Sequence, residues 1–109
     1  MSDRTNVLFV CTANQQRSPT AEELYRDDPR FNVASAGTSR LANTPVTAEL
    51  LDWADLVVVM EEDHRRAITT RFPEQATATR IVVLGIPDVY HSMDRTLQRE
   101  IRERFEAEV

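Results

Sequence analysis

Cysteine is almost absent from this chain of 109 residues, since Cys11 is the only one. A single thiol cannot form an intramolecular disulfide, and the histidines, cysteine and carboxylates show no spacing typical of a metal site. We therefore expect no internal disulfide, no bound metal and no cofactor.

Lysine is missing altogether, so all thirteen basic residues are arginines, and the formal net charge is −5. A net negative charge disfavours general binding to the backbone of a nucleic acid. The planar fork of arginine suits phosphate groups, but a compositional bias of the source genome explains the arginines equally well. We expect no nucleic-acid partner.

Long hydrophobic runs are also lacking. The run from Val7 to Val10 is much shorter than the roughly 20 residues that a membrane helix requires. No secretory or basic targeting segment is recognisable, so we expect a cytoplasmic protein that makes no contact with a membrane. The length fits one domain, residues 1–109.

Short apolar runs alternate with helical patterns along the chain. The runs predict strands at 7–11, 32–36, 56–60 and 80–84. Helices are expected at 18–26, from Thr44-Pro45 onward, at 61–72 and after Ser92 or Asp94, with a polar connection at 74–79. In the last helix Leu97, Ile101 and Phe105 recur at i, i+4 and i+8, which predicts that it packs on the rest of the domain by one apolar stripe. Alternating strands and helices favour right-handed crossovers and a parallel sheet. We predict a three-layer α/β sandwich with a four-stranded parallel sheet and helices on both faces, flavodoxin-like, with strand order 2-1-3-4.

The loop after the first predicted strand combines a thiol with an arginine. Cys11 ends the strand, Arg17 follows after five small or polar residues, and Ser18-Pro19 opens a helix. Backbone N–H groups, the helix N-terminus and the arginine can together surround an oxyanion. The residues of this predicted phosphate-binding loop are Thr12, Ala13, Asn14, Gln15, Gln16, Arg17 and Ser18.

The thiol at the base of this loop predicts phosphoryl chemistry. A single cysteine is often an inert buried group, but the positive field around Cys11 favours its thiolate. Cys11 is therefore predicted to attack phosphorus and form a phosphocysteine intermediate. Arg17 would hold two phosphoryl oxygens through the transition state.

Two loop residues have conformational or hydrogen-bonding roles to fill. The loop contains no glycine, so Asn14 is the best candidate for a left-handed backbone conformation. Ser18 is either the N-cap of the helix or a donor to the Cys11 thiolate, and the sequence leaves both roles open.

An acid is expected at the same edge of the sheet. The carboxyl ends of parallel strands meet at one edge, which places Gly37 and Asp88 near Cys11. Asp88 would protonate the leaving group and then activate water; Asp94 is the alternative, although it fits a helix cap.

Tyr90 and His64 have less specific interpretations. Tyr90 either forms a wall beside the substrate or packs its loop. His64, in an arginine-rich helix, is interpreted as a solvated residue.

Several blocks of the sequence resemble the low-molecular-weight protein tyrosine phosphatases. These blocks occur in the family's order and cover nearly the whole chain. They are residues 7–11 with the loop to Arg17-Ser18-Pro19, Ala21-Glu22, residues 35–38, residues 55–60, and Asp88-Val89-Tyr90. The short length is similar to that of a compact bacterial subgroup. The resemblance implies a Cys11 nucleophile, an Arg17 clamp, an Asp88 acid, and Ser35 bracing Asn14 from behind the loop.

The sequence departs from this family pattern near the substrate. Thr12 and Gln15 stand where the family often has apolar residues, Val89 replaces a proline, and Gln16 replaces a frequent second cysteine. The polar positions bear on the preference for tyrosine rather than on the chemistry.

Three functions are compatible with these residues. The main prediction is a metal-independent protein tyrosine phosphatase that acts on a phosphorylated protein or a small aryl phosphate and releases inorganic phosphate. The alternatives are a phosphate- or phosphopeptide-binding module with little turnover, and an arsenate reductase that uses an external thiol. The oligomeric state is left open.

Overall fold

The computed structural model describes residues 4–109. Within that range strands and helices follow one another along the chain, with two consecutive helices before the last strand. Their bounds are β1 (Thr5–Cys11), α1 (Arg17–Tyr25), β2 (Phe31–Gly37), α2 (Ala48–Trp53), β3 (Leu56–Val59), α3 (Glu62–Arg71), α4 (Pro73–Ala78), β4 (Arg80–Val83) and α5 (Arg95–Glu106).

The four strands form one parallel sheet in the order β2-β1-β3-β4, which confirms the predicted fold class and strand order. β1 is central and pairs Cys11 with Gly37 of β2 and Val10 with Val59 of β3. All the connections between strands are crossovers, so the carboxyl ends of the strands lie along a single edge. The order of the strands reverses between β1 and β3, which is where such folds bind ligands.

The sheet is covered on both faces by apolar side chains. Alternate residues of β1 point to opposite faces, which explains why its continuous apolar run is buried on both sides. One face packs against α1 and α5 through Phe9, Tyr25 and Phe105. The other packs against α2 and α3 through Leu8, Leu51 and Ile68.

Two helical segments differ from the sequence-based expectation. Residues 44–47 are not helical: Pro45 forms a bridge with Gly37, and α2 begins only after Thr47, whose Oγ1 accepts from the Leu50 N–H at 3.2 Å. The predicted connection at 74–79 was wrong, since α4 occupies Pro73–Ala78. Pro73 begins this helix, where its fixed φ is favourable and its missing N–H costs nothing.

The last helix follows its predicted stripe. Leu97, Ile101 and Phe105 are fully buried, and Asp94 caps the helix by accepting from the N–H groups of Thr96 and Leu97 at 2.8 and 3.4 Å. No helix in the described part of the chain combines the length and apolar character that a bilayer crossing needs.

Candidate active site

The loop between β1 and α1 turns its carbonyl groups away from its centre. The carbonyls of Cys11, Thr12 and Ala13 accept from the N–H groups of Thr38, Ser39 and Asn43 at 2.9 to 3.1 Å, and the Asn43 side chain donates to the Asn14 carbonyl. Between residues 4 and 109, nothing accepts a hydrogen bond from the N–H groups of residues 13–16. Successive unpaired N–H groups of this kind form a cradle for an anion.

Gly37 allows the second strand to approach this loop. A Cβ at this position would lie 2.4 Å from the Thr12 carbonyl oxygen and 2.6 Å from the Ala42 Cβ, both far inside contact distance. The segment after Gly37 therefore reaches the loop carbonyls only because residue 37 has no side chain.

Asn14 has the left-handed conformation expected from the sequence, with φ +57°. Its side chain is buried, and Nδ2 donates to Ser18 Oγ at 3.0 Å and to Ser35 Oγ at 2.9 Å. Ser35 Oγ in turn donates to Glu22 Oε1 at 2.6 Å. These contacts offset the cost of the left-handed backbone, which is about 1–2 kcal/mol for a residue other than glycine.

Cys11 and Ser18 meet beneath the loop. The Cys11 side chain is buried, and its Sγ lies 2.9 Å from Ser18 Oγ, which is also 3.2 Å from the Ala36 carbonyl. The N-cap alternative for Ser18 was wrong, because α1 begins at Arg17 and Ser18 lies inside its first turn. Its hydroxyl does not cap the helix; its one hydrogen points either to the Ala36 carbonyl at 3.2 Å or to the sulfur at 2.9 Å.

Arg17 is oriented by two acceptors on one side of its guanidinium. Nη1 donates to Glu61 Oε1 at 2.5 Å and to the Ile86 carbonyl at 2.8 Å, and the side chain is only 2% exposed. Both hydrogens of Nη1 are thus used. Among residues 4–109, nothing accepts a hydrogen bond from Nε or Nη2, which form the edge that binds two oxygens of a phosphoryl group.

Asp88 lies at this same edge of Arg17. One carboxylate oxygen is 3.8 Å from Arg17 Nε, and the side chain is more than half exposed. The structure thus brings Asp88 to the arginine across 71 positions of sequence. Tyr90 is partly buried and packs against the core on the α1–α5 face of the sheet, whereas Asp94 is occupied as the cap of α5.

His64 was wrongly interpreted as a solvated residue. It is 3% exposed; its Nδ1 accepts from the Glu61 N–H at 3.0 Å, so Nε2 carries the proton and donates to Thr12 Oγ1 at 2.9 Å. Burial, and secondarily the positive charge of Arg17, lower the pKa of His64 from 6.5 to about 4. The imidazole is therefore neutral at physiological pH.

Glu61 and His64 are the site residues that the sequence analysis missed. Both stand at the start of α3, directly after the third strand, where the Glu61 carbonyl also accepts from the His64 N–H. The position of Glu61 at a carboxyl strand end was the available signal. The remaining loop side chains differ in exposure: Thr12 and Gln15 are exposed at the mouth, while Ala13 and Gln16 are half-buried.

The fold and this loop define a class of protein: a parallel α/β sandwich with an anion cradle and a thiol at the end of its first strand. Residues 6–46 match the family model described as low molecular weight phosphotyrosine protein phosphatase. The chain is 30% identical to the low molecular weight protein-tyrosine-phosphatase Wzb of Salmonella typhi, over 93% of this chain and 82% of that protein. The chain therefore belongs to the low-molecular-weight protein tyrosine phosphatase family, a family of phosphatases.

Two further relatives differ in what their names specify. A protein-arginine-phosphatase of Bacillus subtilis is 32% identical over 62% of this chain, and the chain spans 63% of its length. The solved structure of the tyrosine phosphatase Wzb from Escherichia coli K30 in complex with phosphate is 26% identical, with a TM-score of 0.75 over 98% of this chain and 96% of that one. The relatives thus include phosphatases of two substrate classes.

Proposed function

We propose that this chain is a cysteine-dependent phosphatase that removes phosphoryl groups from phosphorylated residues of proteins, with phosphotyrosine as the first candidate. Cys11 is the nucleophile, Arg17 and the loop N–H groups bind the phosphoryl oxygens, and Asp88 is the general acid and base. No metal takes part in this scheme.

The first step transfers the phosphoryl group to sulfur. The Cys11 thiolate forms a bond to phosphorus as the bond between phosphorus and the tyrosine oxygen breaks. Asp88, in its carboxylic acid form, gives its proton to the departing oxygen. Arg17 Nε and Nη2 and the N–H groups of residues 13–16 stabilise the charge on the three equatorial oxygens.

The second step hydrolyses the phosphocysteine. The Asp88 carboxylate takes a proton from a water molecule, whose oxygen attacks phosphorus, and the bond between sulfur and phosphorus breaks. Inorganic phosphate is released and Cys11 returns to the thiolate. Ser18 Oγ, 2.9 Å from Sγ, donates a hydrogen bond to this leaving thiolate.

One observation carries this proposal: the loop above Cys11 has its carbonyls bonded outward and its N–H groups of residues 13–16 without acceptors in the described range. An inert buried thiol has no need of four unpaired donors around it, because unsatisfied N–H groups are costly. A bound oxyanion supplies the missing acceptors.

The test is hydrolysis of p-nitrophenyl phosphate and of a phosphotyrosine peptide, with and without EDTA. We expect activity that EDTA does not change, and a loss of at least about 10³-fold in Cys11→Ser, since the nucleophile is essential. Rapid acid quenching of the wild type should trap phosphate on Cys11, identified by mass spectrometry. Equal activity of Cys11→Ser would refute the proposal, and tight peptide binding without turnover would favour the binding-module alternative.

Phosphoarginine is the second candidate substrate. The Bacillus subtilis relative is named a protein-arginine-phosphatase, and the mouth of the loop presents the polar, exposed Thr12 and Gln15 instead of an apolar wall. Asp88, near Arg17, must be in its carboxylic acid form to protonate the leaving group. In this case the bond between phosphorus and a guanidine nitrogen breaks, and Asp88 protonates that nitrogen.

The two candidates are separated by paired peptides that differ only in the phosphorylated residue. The ratio of kcat/KM for the phosphoarginine and phosphotyrosine peptides decides between them. If Gln15 favours the guanidine, Gln15→Ile should move that ratio towards tyrosine, with Glu23→Ile, an exposed site on α1, as the matched control.

A further inference from the structure

The loop that carries Asp88 is held at both ends by the first turns of α1. At its start, Arg17 Nη1 donates to the Ile86 carbonyl at 2.8 Å. At its end, the Met93 N–H donates to Thr20 Oγ1 at 3.0 Å. Arg17 and Thr20 are three positions apart, so they lie on the same side of the helix.

Thr20 joins this loop directly to the phosphate-binding loop. It is fully buried, and its Oγ1 donates to the Gln16 carbonyl at 2.6 Å while accepting from the Met93 N–H. A threonine hydroxyl commonly donates to the carbonyl four residues earlier in a helix. Here the same oxygen also accepts, so one buried hydroxyl connects the end of the anion cradle with the end of the Asp88 loop.

Met93 is held in an unfavourable backbone conformation at this contact. Its φ is +61°, in the left-handed region that costs a residue with a side chain about 1–2 kcal/mol. Three neighbouring features maintain this conformation. The Met93 N–H donates to Thr20 Oγ1, the Met93 carbonyl accepts from Gln98 Nε2 at 2.7 Å, and the next residue, Asp94, is fixed as the N-cap of α5. Such strain persists where the surroundings determine the conformation, and it is common at functional sites.

Between the two anchors the loop depends on few other polar contacts. In the described chain, no residue outside the segment 87–94 forms a hydrogen bond with residues 87–92; Asp88 has only its 3.8 Å approach to Arg17, and Tyr90 packs on the core. Apart from the packing of Tyr90, the position of Asp88 therefore depends on where residues 86 and 93 are fixed.

We propose that Thr20 is a positioning residue for Asp88: its buried hydroxyl ties the end of the acid loop to the phosphate-binding loop and sets the distance between acid and phosphoryl group. This inference rests on the proposed function, in which Asp88 protonates the leaving group. Thr20 itself does not contact the substrate.

The experiment compares Thr20→Val, which keeps the shape and removes the hydroxyl, with Thr20→Ser, which keeps the hydroxyl. Two substrates are used: phenyl phosphate, whose leaving group needs a proton, and 2,4-dinitrophenyl phosphate, whose leaving group does not. General acid catalysis contributes about 10²–10⁴-fold. The quantity compared is kcat/KM, which covers the steps up to formation of the phosphocysteine and excludes its hydrolysis. We expect kcat/KM of Thr20→Val to fall about tenfold on phenyl phosphate and less than about twofold on the dinitrophenyl ester. Thr20→Ser should restore most of the loss.

Hydrogen exchange tests the tether apart from the chemistry. In Thr20→Val the peptides covering residues 86–94 should exchange faster, while those of β1 and β3 stay unchanged. If Thr20→Val does not fold, Thr20→Ala, which is smaller and suits a helix, is used in its place. Unchanged exchange at 86–94, or equal losses on both esters, would overturn the proposal.

A double variant separates this inference from the proposed function. If Thr20 acts through Asp88, Thr20→Val adds no further loss on phenyl phosphate when Asp88 is already Asn. If instead Asp88→Asn alone shows no dependence on the leaving group, the acid assigned under the proposed function is wrong, and the positioning role of Thr20 is overturned with it. If Asp88→Asn loses activity on phenyl phosphate but not on the dinitrophenyl ester, and Thr20→Val shows no such selective loss, only the inference about Thr20 is overturned.

Discussion

Arg17 and Glu61 are joined by a contact of 2.5 Å between Nη1 and Oε1, although 44 positions separate them in sequence. The contact links the first turn of α1 to the residue before α3. It neutralises an almost fully buried guanidinium and fixes which of its edges faces Asp88. The orientation of Arg17 and the neutralisation of its charge thus depend on a carboxylate outside the phosphate-binding loop.

Removing this carboxylate should damage both stability and activity. In Glu61→Ala the buried Arg17 charge loses its counter-ion, and we expect the free energy of unfolding to fall by about 1–3 kcal/mol, towards the lower end because Glu61 is 42% exposed. The KM for p-nitrophenyl phosphate should rise, because the guanidinium is no longer held in place. Urea denaturation and steady-state kinetics measure the two effects.

The matched control is Glu62→Ala. Glu62 is the next residue and pairs with Arg65 on the exposed face of α3, and surface ion pairs of this kind contribute about 0–1 kcal/mol. Its kinetics should match the wild type. An equal effect of both substitutions on KM would show that Glu61 does not orient Arg17.

The buried His64 should make the protein less stable in mild acid. Its pKa is lowered from 6.5 to about 4 in the folded protein, so between these values the unfolded chain binds a proton that the folded protein does not. The contribution of the neutral imidazole to the free energy of unfolding is complete above pH 6.5. It is lost as the pH falls towards 4, and the total loss is about 3 kcal/mol. His64→Gln should remove this part of the pH dependence.

The measurement is urea denaturation of the wild type and His64→Gln at several values between pH 4 and 7. Carboxylates also titrate in this range, so the quantity of interest is the difference between the two proteins. His91→Gln, at an exposed position in the Asp88 loop, serves as the control and should follow the wild type. If the difference in the free energy of unfolding between the wild type and His64→Gln stayed constant with pH, the claim that His64 is a buried neutral imidazole would be wrong.

At Gly37 the lack of a side chain should matter more for stability than the backbone freedom of glycine. In Gly37→Ala the new Cβ would lie 2.4 Å from the Thr12 carbonyl oxygen, so backbone must shift. We expect a loss of at least about 2 kcal/mol of stability, typical of overpacking, together with weaker inhibition by inorganic phosphate.

Gly85→Ala is the contrasting variant for this prediction. Gly85 has φ +74° but open space around it except for Arg104 Nη1 at 3.2 Å, so the cost should be the conformational one of about 1–2 kcal/mol. Phosphate inhibition should persist in this protein. Normal phosphate inhibition in Gly37→Ala would show that the loop tolerates displacement of its carbonyls.

The sequence predicted the parts of this molecule whose causes are local. The continuous apolar runs at β1 and β3 and the stripe of Leu97, Ile101 and Phe105 depend on local hydrophobic patterns, and the parallel sheet follows from the alternation of strands with helices. Asn14 was identified because few residues other than glycine accept a positive φ.

The parts that the sequence did not predict depend on tertiary contacts. Glu61 and His64 have the composition of an exposed helix start, and only packing against Arg17 and Thr12 distinguishes them. The role of Ser18 depends on where α1 begins and on the approach of Cys11 Sγ to within 2.9 Å of its hydroxyl. Met93 carries no local signal for its left-handed backbone, which Thr20 and Gln98 impose from other elements.

The left-handed backbone of Asn14 can be separated from its hydrogen bonds by two substitutions. Asn14→Gly removes the bonds to Ser18 and Ser35 but accepts φ +57° without strain. Asn14→Ala removes the same bonds and keeps the strain, so it should be less stable than Asn14→Gly by about 1 kcal/mol. Urea denaturation of both variants gives this difference directly, and p-nitrophenyl phosphate kinetics should rank them in the same order. If Asn14→Ala proved as stable as Asn14→Gly, the loop would have relaxed out of its left-handed turn, and its phosphate affinity should then fall below that of the glycine variant.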